Sequence, residues 1–410
     1  MMAMENARTR QTQRLFYLVF FASLIFSAGY LALRRGAGLM DFFYQQGTNL
    51  LGDFTNNLHY PTHEGGPYFD SIWATFPPFA YTIFYLVNVC FTRAIPNAET
   101  VAYLLLTGIT AMMMLYAMQR IFERYGHSSR PYRSALAFGL CVLLSGVSLY
   151  TLERGNSAYH SMVILLFFLF LRDDESAWKR EAALILLAVA AGVKIYPCVF
   201  GVLYLLEKRY REALRLVIYG VLLFFVPFLW FGGLDGLNQF LYNQEQIHLL
   251  QRNDFLTSIP SVARFLAAEL GWNVETASAV GQWIGIAFGA VALVCACLTR
   301  SLWRRCALLV GIVTLVPGWS AEYMALYFAL PCALFFCGGD DRPAPLRYAY
   351  SALFAGVFIL LPFGTDFALH APVSWNMLVC FSSIYALVLL TVADVLHSRF
   401  SKRRAAAAAG

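Results

Sequence analysis

Four cations in this chain of 410 residues are placed where solvation alone does not account for them: Arg154, Lys194, Arg252 and Arg264. All four are expected on the outer face of a membrane, away from the basic turns that hold most of the Lys and Arg. A cation at membrane depth costs about 2.5–3.5 kcal/mol on insertion scales, so such residues are usually paired or functional. Arg grips a phosphate bidentately and Lys acts on it as a point charge. Several cations on one face beside lipid are what a lipid-linked phosphate requires. Two polar stretches lie on that same face. Residues 35–76 hold Asp41, Asp53, Glu64, Asp70, His59 and His63 among aromatics. Residues 232–278 are rich in amides, with Asn238-Gln239, Tyr242-Asn243-Gln244, Gln246, His248 and Arg252-Asn253-Asp254. Amides both donate and accept, which suits sugar hydroxyls; the plainer reading is a polar loop with no ligand.

The elements that position these groups follow from composition. The chain is 59% hydrophobic and 13% charged, against roughly 45–50% and roughly 25% in soluble domains. The surplus must face lipid, which makes this a multi-spanning membrane protein and excludes disorder, a coiled coil and a disulfide scaffold. The apolar runs are long and unbroken rather than alternating, so the expected fold is all-α and not a barrel. About twelve spans are expected: 15–33, 98–119, 134–151, 157–171, 181–194, 196–206, 213–231, 279–298, 306–318, 322–337, 347–363 and 374–396. The first is no cleavable signal, since Arg34-Arg35 follow it without a small-residue cleavage site. The run 77–92 begins with Pro77-Pro78 and is read as re-entrant or interfacial. With both termini inside, 23 of the 30 Lys and Arg fall in cytoplasmic segments, as the positive-inside rule requires. Seven remain outside: Arg34, Arg35, Arg93 and the four cations above. Arg34-Arg35 are expected to snorkel at the end of the first span.

The net charge of +6 is therefore topological, and no nucleic-acid partner is expected. The nine cysteines have no metal or disulfide spacing and read as small core residues. There is no Gly-rich phosphate loop. Asp173-Asp174 and Asp340-Asp341 read as solvated cytoplasmic charges. His59 and His63 have no partners at metal-ligand spacing.

Four ordered motifs give the chain a family likeness. The first is one span, then an outer loop with Asp53-Phe54 and Pro67-Tyr68, then Phe76-Pro77-Pro78-Phe79. The second is Glu153-Arg154-Gly155-Asn156 at the outer end of a span. The third is Lys194-Ile195-Tyr196-Pro197 followed by the basic turn Glu207-Lys208-Arg209-Tyr210-Arg211. The fourth is Pro317-Gly318-Trp319-Ser320-Ala321-Glu322-Tyr323. In this order they resemble the GT-C superfamily of membrane glycosyltransferases, most closely glycosyltransferase family 87. The sequence departs from the family pattern at Glu322, where many relatives carry His, and lacks the Gln of the usual Gly-Gln-x-Asn.

The resemblance implies transfer of a hexose, mannose most commonly, from a polyprenyl-phosphate donor to a hydroxyl of a glycan or glycolipid acceptor outside the cytoplasm. A single displacement with inversion needs a carboxylate to take the acceptor proton and cations to stabilise the departing phosphate. The implied base is the acid of the first outer loop, Asp53 first and Asp41 second, with Glu64, Asp70, Glu322 or no acid as the remaining options; an ordinary loop Asp is a turn or helix cap. Substrate-binding candidates are Arg154, Asn156, Lys194, Tyr196, His248, Arg252, Glu322 and Tyr323. A salt bridge to Glu153 or a neighbouring helix is the plain use of Arg154, and snorkelling that of Lys194. No metal and no cofactor are expected; the lipid-linked donor is itself a substrate. The expected organisation is one transmembrane domain over 1–404, with 35–76 and 232–278 roofing the active site and 405–410 a flexible tail, in a bacterial plasma membrane. The competing reading is a transporter or flippase of polyprenyl-linked sugars, although no internal repeat supports it. The oligomeric state is left open.

Overall fold

A computed structural model describes residues 2–43, 50–92, 98–126, 130–249, 256–318, 320–337, 342–362 and 373–409, with side chains described in these stretches except at 2–10, 92, 248–249 and 402–409. All regular structure among the described residues is helical. Among the described residues, five helices have the length and apolarity to cross a bilayer: Gln11–Leu33, Ala98–Tyr125, Tyr210–Leu229, Val274–Leu298 and Trp375–Ser401. A sixth arises if the bent pair Pro131–Leu143 and Gly146–Arg154 is one broken span. This differs from the expected twelve. The remaining apolar runs fold into shorter helices, including Pro78–Phe91, Ala158–Leu171, Tyr196–Leu206 and Glu322–Cys337. At about 1.5 Å per residue these are shorter than a hydrocarbon core of about 30 Å. The long helices keep large apolar side chains on their outsides, such as Ile25, Leu104, Met112, Leu214 and Trp283, as a lipid-facing surface requires.

The chain divides into two compact units: Met1–Tyr44 with Phe122–Leu149 and Asn253–Gly410, and Gln45–Ile121 with Tyr150–Arg252. The first unit is built on aromatic packing. Phe16, Phe138 and Phe336 meet with ring centroids 5.1–5.8 Å apart, and Trp303 sits 4.9 Å from Tyr350. An ion triad lies in this unit, with the Asp394 carboxylate 2.9 Å from Arg304 and 3.1 Å from Arg342. Six of the nine cysteines are buried, while Cys90, Cys198 and Cys297 are exposed.

The second unit packs Ala177–Val193 against Ala158–Leu171, Tyr210–Phe225 and Pro78–Val87. Its core joins Phe54, Tyr68, Tyr81, Phe84, Tyr103, Phe228, Phe231 and Phe240. The stretch 232–278, expected as a loop, forms helices Gly233–Leu249 and Ile259–Glu269. Two of its amides are used against backbone. Asn243 is fully buried and its Nδ2 donates to the carbonyls of Tyr68, Ser71 and Ala74 at 2.9–3.3 Å. Gln244 donates to the Thr75 carbonyl at 2.7 Å. They pin the 68–76 segment through its backbone carbonyls. The acidic pair Asp173-Asp174 is likewise engaged rather than merely solvated: Asp173 holds Arg172 at 3.3 Å and Arg209 at 2.8 Å, and Asp174 holds Lys179 at 3.2 Å. Asp340-Asp341 lies outside the described residues.

Candidate active site

The second unit builds a convergent polar cluster around Asp53. Leu51 adopts a left-handed conformation (φ 58°) and starts the helix Gly52–His59. Its N–H donates to the Glu153 carbonyl at 2.7 Å, which ties this helix start to the C-terminal end of Gly146–Arg154. Asp53 falls in the first helical turn, where the orphan N–H groups favour a negative side chain. Asn57, one turn on, donates to the Asp53 carbonyl at 2.5 Å.

The other half comes from the turn between Gly146–Arg154 and Ala158–Leu171. Gly155 takes φ +68°, its N–H bonds back to Leu152 at 3.0 Å, and the Asn156 N–H bonds to the Thr151 carbonyl at 2.9 Å. This is the glycine-terminated helix end in which a left-handed residue lets the last carbonyls be satisfied. Gly155 is also needed for space. A Cβ there would stand 2.7 Å from Phe54 Cβ and 3.1 Å from Leu51 Cα. The absence of a side chain lets the turn lie directly on the Asp53 helix, with Arg154 and Asn156 reaching it from either side of the glycine.

Arg154 Nη2 donates to Asp53 Oδ1 at 2.5 Å, and Asn156 Nδ2 donates to Oδ2 at 2.6 Å. The Asn156 orientation is set by its other end: Oδ1 accepts the Ala158 N–H at 3.0 Å and so turns the amide nitrogen toward the carboxylate. Both Asp53 oxygens are held, yet a carboxylate has about four lone-pair sites, so each keeps capacity for a further donor. Lys194 completes the cluster. It ends Ala177–Val193 with an extended backbone, is 6% exposed, and its charge interacts with those of Asp53 and Arg154. Its Nζ lies 3.9 Å from the Phe76 ring centroid. Nearby Tyr68 is buried, and burial pushes its phenol well above its usual pKa, so it serves as a neutral donor, to the Phe76 carbonyl at 3.0 Å.

The structure thus brings together Asp53, Arg154, Asn156 and Lys194. Tyr196 is half-buried and opens the 3-10 turn Tyr196–Gly201, two residues beyond Lys194. His248 lies in the helix Gly233–Leu249, with its side chain outside the described residues, as is all of Arg252. Asp41 belongs to the first unit, where Tyr30 donates to it and Arg34 lies at 3.5 Å. Glu322 and Tyr323 also belong to the first unit and are buried, 1% and 6% exposed; Glu322 Oε1 accepts from Asn376 at 2.8 Å. Arg264, again in the first unit, donates to the Gly318 carbonyl at 2.8 Å and to Ser261 and Ser278, which fixes the late Pro317-Gly318 turn. Among the described residues no three His, Cys, Asp or Glu side chains gather at metal-binding distance. Leu51, Gly155 and Asn57 shape the site without carrying a chemical signal in the sequence; of the three, Gly155 alone falls in one of the four sequence motifs, between Arg154 and Asn156.

Chemically, the cluster offers one carboxylate to take a proton, an amide that orients it, and two cations to attract a phosphate. The sequence model of glycosyltransferase family 87 matches residues 75–319, which include Arg154, Asn156 and Lys194. Comparison with curated proteins and with solved structures finds no match.

Proposed function

Since this chain belongs to glycosyltransferase family 87 and is a multi-pass membrane glycosyltransferase, we propose that the Asp53 cluster is its catalytic centre and that the donor is a polyprenyl-phosphate hexose, mannose being the first candidate. The acceptor hydroxyl, on a glycan or glycolipid, attacks the anomeric carbon of the donor sugar. The bond from that carbon to the phosphate oxygen breaks, the hydroxyl proton passes to Asp53, and polyprenyl monophosphate leaves. The anomeric configuration inverts. Arg154 and Lys194 stabilise the charge that gathers on the phosphate. Asn156 keeps the carboxylate facing the acceptor while Arg154 turns toward the phosphate. Tyr196, His248 and Arg252 are proposed to contact donor or acceptor, and Glu322 and Tyr323 to act in the first unit. The site faces outward from a plasma membrane, with lipid supplying the donor.

One observation carries this reading. Asp53 receives two donors from residues 101 and 103 positions away, with Lys194 acting electrostatically on the same pair. Convergence over such separations of a base, a guanidinium and an ammonium matches what sugar transfer from a lipid phosphate needs. The test is a panel of donors offered to the purified protein in lipid nanodiscs. Transfer from polyprenyl-phosphate hexoses, with inverted product and none from sugar nucleotides, is expected. Transfer from a sugar nucleotide alone would overturn the donor assignment.

A further inference from the structure

The aromatic-Pro-Pro-aromatic segment has no assigned role beyond family likeness, yet both its rings touch the end of the helix that carries Lys194. Phe76 presents its face to the ammonium at 3.9 Å. Phe79 packs on Gly192, where an added Cβ would come within 2.8 Å of the Phe79 ring. Pro77 is extended (φ −55°, ψ 148°) and Pro78 takes the first position of the helix Pro78–Val87, a place that proline favours because the helix needs no N–H there.

The backbone beneath Phe76 is fixed from three directions. Its carbonyl accepts from Tyr68 Oη at 3.0 Å, its N–H donates to Tyr81 Oη at 3.5 Å, and the preceding carbonyl accepts from Gln244 at 2.7 Å. Its ring leans on Tyr81 and Phe84 at 6.3 and 6.2 Å. Such a ring is a pre-set platform rather than a mobile side chain. The face of an aromatic ring is the negative end of its quadrupole and attracts an ammonium. A carboxylate at the same place would hold Lys194 more strongly and compete with an incoming phosphate for it. A ring face holds the ammonium without adding a negative charge beside it.

We infer that Phe76 is the positioning residue for Lys194: its ring face fixes the ammonium beside Asp53 and Arg154 in the orientation that meets the anionic group of the glycosyl donor. The inference rests on the phosphate-binding role proposed for Lys194, and it adds a partner on the protein side of that contact.

The test replaces Phe76 in the full-length protein with mono-, di- and trifluorophenylalanine by nonsense suppression. Fluorine drains the ring face of negative charge while barely changing its volume. Two quantities are measured, the midpoint of thermal unfolding and kcat/KM with a polyprenyl-phosphate hexose. Both are expected to fall stepwise with fluorination, kcat/KM by about 2- to 30-fold across the series. In a Lys194→Met background the unfolding midpoint should not respond. Phe76→Trp should retain activity and Phe76→Leu should lose it, with the loss in KM for the donor. An unfolding midpoint indifferent to fluorination overturns the contact. A stepwise midpoint with a flat kcat/KM shows a merely structural contact and overturns the positioning role. If the unaltered protein uses no polyprenyl-phosphate donor, the donor assignment fails, and the unfolding series alone decides whether Phe76 holds Lys194.

Discussion

Asp53 and Asp41 are the same local motif in two units of the molecule. Each is followed by Phe, each lies in the first turn of a short helix, and each has a side chain 19% exposed and an Arg partner. Their partners differ. Asp41 is met by Tyr30 and Arg34, 11 and 7 residues before it on the end of the first helix, and that Arg is 59% exposed. Asp53 is met by Arg154 and Asn156, more than 100 residues away, with the guanidinium 23% exposed. The first arrangement closes off a helix end with what is nearby. The second needs two helix ends, a left-handed leucine and a left-handed glycine to meet, which costs conformational freedom with no local return. Such an arrangement is what a chemical site requires, and local capping does not explain it.

The sharpest way to break the comparison is to neutralise each acid in turn. Asp53→Asn keeps the shape and removes the proposed proton acceptor, so initial rates of glycosyl transfer should fall by about 10²–10⁴-fold. Asp41→Asn should leave the rate of the same order. Both proteins should insert and purify alike. Equal losses from both substitutions would erase the distinction, and loss from Asp41→Asn alone would reverse it.

A smaller effect is expected from the glycines that let each acid meet its partners. Gly155→Ala imposes a Cβ at φ +68° and against the backbone of Leu51. The expected destabilisation is about 1–3 kcal/mol, and transfer falls with it because the turn is pushed off the Asp53 helix. Gly38, beside Asp41, has φ −84°, and an added Cβ there meets the edge of the Tyr30 ring at 2.7 Å. A ring can swing, so Gly38→Ala should disturb the Tyr30 hydrogen bond and leave transfer intact. Unfolding midpoints and rates on the same two proteins check this; an unaffected Gly155→Ala would mean the close approach is not required.

What the sequence could and could not show follows from the same contrast. Cations in apolar surroundings are conspicuous, so Arg154 and Lys194 stood out by composition and topology alone. Which acid they meet was open, because hydrophobic periodicity tells which face of a helix is buried and not which helix ends touch. The amide-rich stretch is only partly legible for a related reason. Amides suit sugar hydroxyls by type, while the partners of Asn243 are the carbonyls of Tyr68, Ser71 and Ala74. Backbone acceptors leave no trace in residue type. The expected twelve apolar runs do not all become span-length helices: some fold as short helices or 3-10 turns, as at Tyr196–Gly201 and Glu322–Phe328, since an apolar run of given length does not specify how it is wound. Phe76 could be seen as part of a motif, while its ring lying over Lys194 depends on a contact across more than a hundred residues.

The smallest expected effect separates the two ion pairs by salt. An exposed pair gains little in water and is screened within a Debye length of about 8–10 Å. Arg34→Ala should therefore shift the unfolding midpoint little at low salt and not at all at high salt. Arg154 is less exposed and also shares Asp53 with Asn156, so Arg154→Ala should lower the midpoint at both salt concentrations, because the carboxylate left behind loses a charged donor that salt does not replace. Midpoints of both variants and the unaltered protein, measured across a salt series, give the comparison directly. A shift for Arg154→Ala that vanishes in high salt would place the Asp53 pair in the same class as Asp41 and Arg34, a surface contact with no claim to be a built site.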